Sequence, residues 1–172
     1  MSALAMTEQS RWTTLSEFLE PVLSTGGHPV MTMRSALGSS ALHFAALGGN
    51  VVTASLLLRQ GLSPNETNYY GETPLHWACQ HGFIPMILLL LAGGADVNSI
   101  DYDGESPLHW ACHDDDLNET VRLLLQSGAK RNVRNLDLLT PLQLAIQENS
   151  LKNIQTLTSR RSLLLRRLFY TI

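Results

Sequence analysis

Two His-x-x-Cys pairs are the residues whose types and spacing first suggest chemistry. They are His76 with Cys79 and His109 with Cys112. Imidazole and thiolate groups are zinc ligands, and two such pairs would supply the four ligands of a structural site. The pairs lie one interval of 33 residues apart, so the pattern around them decides whether zinc is needed to explain them.

The same histidines, together with His43, are candidate general bases, with the carboxylates of residues 114–116 as acids. An enzyme of the common classes would add a nucleophile elbow, a phosphate-binding loop or a dinucleotide fingerprint. The sequence has no Gly-x-Ser-x-Gly, no Gly-x-x-x-x-Gly-Lys and no Gly-x-Gly-x-x-Gly. We therefore predict that the chain is not an enzyme and has no catalytic residue.

The histidines belong to a phrase that recurs four times. Its leucines lie 33, 33 and 34 residues apart, at Leu42, Leu75, Leu108 and Leu142. A fixed period of this length indicates stacked helical repeats, in which each unit buries its apolar face against its neighbours. The His-x-x-Cys pairs recur because the repeat recurs, so we predict neither a metal site nor a cofactor.

One unit contains two short helices. Thr73 can cap the first helix, and Pro74 suits its first position because that position needs no N–H donor. Gly82 ends this helix. The second begins near Ile84 and runs to Gly93, where paired glycines stop it.

These features resemble the ankyrin repeat family from about Gly38 to Thr158. The resemblance rests on the motif Gly-x-Thr/Ser-Pro-Leu-His-x-Ala, on three leucines before a glycine, and on the asparagine that follows that glycine. It implies an all-α ankyrin-repeat solenoid, with antiparallel helix pairs joined by β-turn fingers and a concave binding face. We expect about four repeats between an N-terminal capping helix and a C-terminal helical tail.

The expected boundaries follow the motif. They are 1–37 for the N-terminal cap or degenerate leading repeat, 38–70, 71–103, 104–137 and 138–158 for the repeats, and 159–172 for a basic amphipathic tail. The fourth unit departs from the pattern: polar Asn153, Thr156 and Thr158 lie near positions of the second helix that are apolar in the other units, which predicts weaker packing there. The third unit has one extra residue between His113 and Glu119, which predicts a longer loop.

The resemblance implies that partners contact the finger tips and the exposed end of the first helix. Tyrosine beside carboxylates suits such contacts, because a rigid amphipathic ring buries area at low entropic cost. The matching positions are Tyr69, Tyr70, Glu72, Gln80, His81, Tyr102, Asp103, Glu105, His113 and Asp114, and, less strongly, Leu136, Asp137, Leu139, Gln147 and Glu148. Trp77 and Trp110 are expected in the core.

Charge is unevenly distributed along the chain. No Lys or Arg lies between Arg59 and Arg122, whereas ten Asp and Glu residues do, and beyond residue 121 the balance is basic. An acidic middle would steer a protein partner with a basic surface; alternatively, the charges only keep the stack in solution. We expect no nucleic acid and no small-molecule substrate.

The segment 159–172 leaves the repeat pattern. Leu164, Leu165, Leu168 and Phe169 fit one helical face with arginines around it. Three interpretations remain open: a capping helix on the fourth unit, a basic amphipathic element that contacts an anionic membrane or partner, and the edge of a longer protein.

The first residues have neither a basic stretch nor an apolar core, so we expect no secretory signal. Two lone cysteines at equivalent, apolar positions favour a reducing compartment, the cytoplasm or nucleus.

Asn98, with Asp96 two residues before it and Leu90 further upstream, resembles the pattern that the oxygen-dependent asparaginyl hydroxylase accepts in ankyrin proteins. We predict modification at Asn98.

The sequence thus predicts a non-enzymatic protein-interaction module or scaffold that binds through fingers and the concave face. The alternative is a substrate-recognition or targeting subunit of a larger enzyme assembly such as a ubiquitin ligase.

Overall fold

A computed structural model describes residues 32–159. Within this range eight α-helices form four consecutive pairs, and the described residues contain no β-strand beyond one isolated bridge between Arg34 and Ser40. The helices are α1 Ala41–Leu47, α2 Val51–Arg59, α3 Pro74–Gln80, α4 Ile84–Ala92, α5 Pro107–Cys112, α6 Asn118–Gln126, α7 Pro141–Gln147 and α8 Leu151–Thr158. The predicted all-α repeat architecture is therefore confirmed. The predicted N-terminal cap up to residue 31 and the tail from residue 160 lie outside the described residues.

The first helix of each pair begins where the sequence predicts. In α7, Thr140 has extended backbone angles, its hydroxyl accepts from the Gln143 N–H, and Pro141 takes the first helical position. The helix then stops at a residue in the left-handed region, which glycine adopts without steric cost. Gly49 and Gly82 fill this position at φ 65°, whereas Asn149 fills it in the fourth repeat at φ 58°.

The second helices bury one stripe of side chains. In α6, Val121 and Leu124 are fully buried, while Glu119, Arg122 and Gln126 are exposed. This is the amphipathic pattern of a helix that packs on one side only. Helix α4 differs because it has no charged residue, and Leu88 on it remains half exposed.

The described chain divides into two compact units. One extends to Ala78 and includes Pro85–Ala95, and α1 packs on α2 within it. The other contains Cys79–Ile84 and the residues from Asp96 onward; there α5 packs on α6 and α7, and α8 packs on α6 and α7. Leu42 and Leu57 lie in the core of the first, and Leu108 and Leu124 in that of the second.

The third repeat has one extra residue between α5 and α6, and the longer connection contains a 3-10 turn, Asp115–Leu117. Asp115 Oδ1 accepts from the Lys152 and Asn153 backbone N–H groups at 2.7 and 3.3 Å. Asp115 therefore caps the first turn of α8.

Hydrogen bonds replace apolar contacts where α6 meets α8. Asn153 and Thr156 are buried, and Asn118 Nδ2 donates to Asn153 Oδ1 and Thr156 Oγ1 at 3.2 and 2.7 Å. Asn153 Nδ2 also donates to the Asp114 carbonyl at 2.8 Å. The polar residues that sequence reasoning treated as weak packing are thus paired buried groups, which cost little once their hydrogen bonds are satisfied.

Candidate interaction surface

Three finger turns are held by a buried side chain at their base. Asn68 Oδ1 accepts from the Tyr70 and Glu72 N–H groups at 2.9 and 3.0 Å. Asp101 Oδ1 does the same for Asp103 and Glu105 at 3.0 and 2.8 Å. These Asx-type bonds fix the turn locally, so the tip is presented in one backbone conformation. Asn135 is the equivalent residue of the fourth repeat and accepts from the Leu139 N–H at 2.9 Å.

In the first of the two compact units, one finger tip exposes two tyrosines. Tyr69 is 70% exposed and Tyr70 53% exposed. The Tyr69 N–H donates to the Leu37 carbonyl of the preceding finger at 2.9 Å. Its ring lies against Gly38, where an added Cβ would come within 2.6 Å of Tyr69 Cδ1. Neighbouring fingers are therefore joined, and the ring keeps most of its surface free.

In the second compact unit, the finger tips expose Tyr102, Leu136 and Leu138, whose side chains are 70%, 72% and 67% exposed. The Leu136 N–H donates to the Asp103 carbonyl at 2.8 Å, so these two fingers are also joined. Leu138 has φ 61°, in the left-handed region that disfavours residues with a Cβ. Gly104 has φ 75° at the equivalent position of the third repeat.

The two tryptophans connect the fingers to the first helices. Trp77 Nε1 donates to Glu72 Oε2 at 2.7 Å, and Trp110 Nε1 donates to Asp101 Oδ2 at 2.9 Å. Both rings are partly buried rather than fully enclosed. Glu72 also accepts from Asn68 Nδ2 at 2.6 Å, so this predicted contact residue is occupied by internal hydrogen bonds.

His113 lies between two carboxylates at the end of α5. Its Nε2 is 3.4 Å from Glu105 Oε2, and its Nδ1 is 4.0 Å from Glu148 Oε1. The hydrogen bond with Glu105 raises the pKa of His113, and the same bond lowers the pKa of Glu105. Glu105 also accepts from Asn135 Nδ2 at 3.0 Å. The structure thus brings His113, Glu105 and Glu148 together.

The remaining predicted contact residues differ in exposure. Gln80, Asp103 and Asp114 are exposed, and Asp114 Oδ1 accepts from the Asp116 N–H at 2.9 Å. His81 is partly buried, which lowers its pKa, and its buried Nε2 has no hydrogen-bond partner among the described residues.

The histidines of the repeat motif act as caps. His43 Nδ1 accepts from the Ser40 N–H at 3.1 Å, and its Nε2 is 3.0 Å from the Glu72 carbonyl. His109 does the same with Ser106 and Leu139. Both ring nitrogens of these two residues therefore bind protein atoms. In residues 32–159, no group of three or more His, Cys, Asp or Glu side chains could hold a metal ion.

The cysteines are free and fully buried. Burial raises the pKa of Cys112 to about 12 and raises the pKa of Cys79 further. A thiol with a raised pKa forms little thiolate, which is the reactive species and the metal-binding one. No helix of the described range is long and apolar enough to cross a bilayer.

A family model described as ankyrin repeats in three copies matches residues 15–101 and again residues 89–163. The chain belongs to the ankyrin repeat family. Ankyrin repeats generally bind other proteins, and the family is typically non-enzymatic. No curated protein matches the chain. The family match extends the resemblance upstream of Gly38, into the segment where the sequence predicts a degenerate leading repeat.

Sequence reasoning missed exposed apolar residues of the ankyrin fingers. Leu138 is one, Leu37 at 45% exposure is another, and Ile100 at 56% is a third. Their register is the signal that could have found Leu37 and Leu138, since both occupy the turn in front of a first helix. Ile100 gives no signal of this kind.

Proposed function

We propose that this ankyrin-repeat chain is a non-enzymatic protein-binding module whose partner contacts the finger tips. The observation that carries the proposal is the exposure of large apolar side chains, Tyr69, Tyr70, Tyr102, Leu136 and Leu138, on turns that are fixed at their base. Aromatic and aliphatic side chains in such positions contribute most to binding energy at protein interfaces.

Fixed turns also favour affinity. A partner that docks on a flexible loop must pay the entropy of fixing its backbone, about 1–2 kcal/mol for each residue that becomes ordered. Here the Asx-type bonds and the finger-to-finger bonds Tyr69 to Leu37 and Leu136 to Asp103 order the backbone before binding. Each unit thus offers a surface that is organised in advance.

The charges at the finger that carries Tyr102 favour a basic partner. Asp103 is exposed and Glu105 is partly exposed, whereas at the next finger the exposed Asp137 is accompanied by Arg134, which donates to the Leu138 carbonyl. Carboxylates at the rim of an apolar contact select partner charge and raise the association rate more than they raise affinity. We infer a partner with lysine or arginine around an apolar centre, in the cytoplasm or nucleus, where Cys79 and Cys112 would stay reduced.

A comparison of two variants tests the finger surface. The first changes Tyr69, Tyr70 and Tyr102 to Ala. The second changes Val52 and Leu88 to Ala; these side chains on the second helices are 59% and 50% exposed. In affinity purification with mass spectrometry, we expect the first variant to lose specific partners and the second to retain them, with both keeping the wild-type helical circular dichroism spectrum. Retention by the tyrosine variant would place the contact elsewhere.

The same experiment separates the alternative function. Recovery of ubiquitin-ligase components with wild-type protein and with the tyrosine variant alike would indicate a substrate-recognition subunit that contacts the ligase outside the fingers. Their loss together with other partners would keep the fingers as the single contact.

A further inference from the structure

Within residues 32–159, the face of the fourth repeat that points away from the third keeps apolar side chains exposed. Ile146 is 57% exposed, although Cys112, at the same position of the third repeat, is fully buried. Leu142 and Ile154 are partly exposed, whereas Leu108 and Val121 at the matching positions are fully buried. Stacked repeats present equivalent positions in the same orientation. We call Leu142, Ile146 and Ile154 the terminal face.

An exposed apolar face at the end of a repeat stack normally needs a cover. Terminal repeats of such arrays have a polar outer side for this reason. Here the outer positions of α7 and α8 are leucine and isoleucine, so this repeat is built like an internal one on that side. While these side chains stay in water, the protein lacks about 25 cal/mol of stabilising free energy for each Å² of apolar area that a cover would bury.

The chain that follows α8 has the composition of a cover. Helix α8 ends at Thr158, and the sequence continues with Leu164, Leu165, Leu168 and Phe169, spaced i, i+1, i+4 and i+5. That spacing places four apolar side chains on one side of a helix. A helix over residues 160–172 would be roughly 20 Å long, about the width of two packed helices.

The charges of the segment allow its apolar side to dock. Arg160, Arg161, Arg166 and Arg167 lie next to the apolar residues, and long arginine side chains can keep their guanidinium groups in water while their stems cover apolar surface. We propose that residues 160–172 dock on the terminal face through Leu164, Leu165, Leu168 and Phe169 and cover Leu142, Ile146 and Ile154.

Hydrogen exchange on the full chain tests the docking. The variant Leu164→Ser with Leu168→Ser should make the amides of α7 and α8 exchange about tenfold faster. Ile146→Asp should do the same, and the combined variant should be no faster than either alone, because both remove one contact. Leu136→Asp is the matched control: this leucine is 72% exposed in the same unit but lies on a finger. It should leave α7 and α8 unchanged. Ile146→Ser serves if the Asp variant does not fold.

Two kinds of result would overturn the proposal. Unchanged exchange of α7 and α8 in the tail variant, or fully multiplicative effects in the combined variant, would mean that the tail does not cover the face. Sedimentation that shows a wild-type dimer and an Ile146→Asp monomer would assign the cover to a second copy. Binding of wild-type protein to phosphatidylserine vesicles through the leucines, with α7 and α8 equally protected in both variants without vesicles, would assign the tail to a membrane.

Discussion

Burial keeps His43 neutral, and its hydrogen bonds fix which ring nitrogen carries the proton. Because Nδ1 of His43 accepts from a backbone N–H, its proton lies on Nε2, which donates to the Glu72 carbonyl. Burial lowers the pKa of His43 to about 4 from the ordinary value of 6.5. His43 thus caps its own helix and also holds the next finger through the Glu72 carbonyl.

This pKa predicts acid sensitivity. A lowered folded-state pKa means that the unfolded chain binds more protons between pH 6.5 and 4, so stability from His43 is complete above pH 6.5 and is lost as pH falls towards 4. The loss is at most about 3 kcal/mol for this one residue. Urea unfolding of wild-type protein at pH 7 and pH 4.5 measures it.

The fourth repeat supplies the matched control. Gln143 stands where the others have histidine, and its Oε1 accepts from the Thr140 N–H at 2.9 Å. His43→Gln should therefore fold at pH 7 and show a smaller loss of unfolding free energy between pH 7 and 4.5 than wild type. An identical loss in both proteins would show that other groups titrate in this range.

Leu138 is a second residue with a predicted effect on stability, in this case because of its backbone conformation. A leucine in the left-handed region costs about 1–2 kcal/mol, partly offset in the variant by the larger entropy loss of glycine on folding. Leu138→Gly should raise the free energy of unfolding by about 1 kcal/mol in urea titration. Leu136→Gly, on the same finger at ordinary φ, should not. If Leu138 serves binding, as proposed, the stabilised variant should bind the partner more weakly.

Asn98 remains a predicted hydroxylation residue, and the structure adds a condition. Its Oδ1 accepts from the Lys130 N–H at 2.8 Å and its Nδ2 donates to the Gly128 carbonyl at 3.4 Å. The side chain must leave these bonds to enter an enzyme. After incubation with the asparaginyl hydroxylase, we expect peptide mass spectrometry to show the gain of one oxygen at Asn98. In 2 M urea this gain should be faster in a destabilised variant such as Asp115→Ala than in wild type. Unmodified Asn98 in both would remove the prediction.

At the scale of elements, the 3-10 turn explains how the third repeat accommodates its extra residue. It moves Asp115 to the start of α8, where the carboxylate meets two backbone N–H groups and the helix dipole. A carboxylate supplied by the preceding repeat therefore caps this helix.

Removing this cap should destabilise the fourth repeat. Asp115→Ala is expected to lower the free energy of unfolding by about 1–2 kcal/mol, as losses of helix caps do. Asp116→Ala is the control, because its side chain is 88% exposed and, within residues 32–159, its carboxylate pairs with the Lys152 ammonium. It should change stability by no more than about 0.5 kcal/mol. Equal effects of the two would mean that net charge, rather than capping, is responsible.

For the whole molecule, the period in the sequence was enough to predict helix pairs and their order. The cap and the apolar stripe recur along the chain, and glycines follow both helices of the second repeat, so α3 and α4 were expected within a residue of their observed ends. The family match agrees with that architecture. Periodicity reports the position of a residue within its repeat, and this is sufficient for the fold.

Periodicity does not report which side chains bond between repeats. The Asn118 contacts with Asn153 and Thr156 join residues more than thirty positions apart, and each residue alone reads as an ordinary polar substitution. Periodicity also does not report bonds within a repeat, such as the one from Trp77 to Glu72, a residue that was predicted as a contact residue. The exposed tyrosines were predictable as tips because their register alone decides their location.

The enclosed thiols of Cys79 and Cys112 give this protein a built-in reporter of its own opening. A maleimide cannot reach a sulfur atom that is fully covered, so alkylation in native buffer proceeds only as fast as the surrounding helices separate. The time course of mass increase, read for each cysteine after digestion, would therefore record how often α3 and α5 become accessible, with no label introduced by mutation.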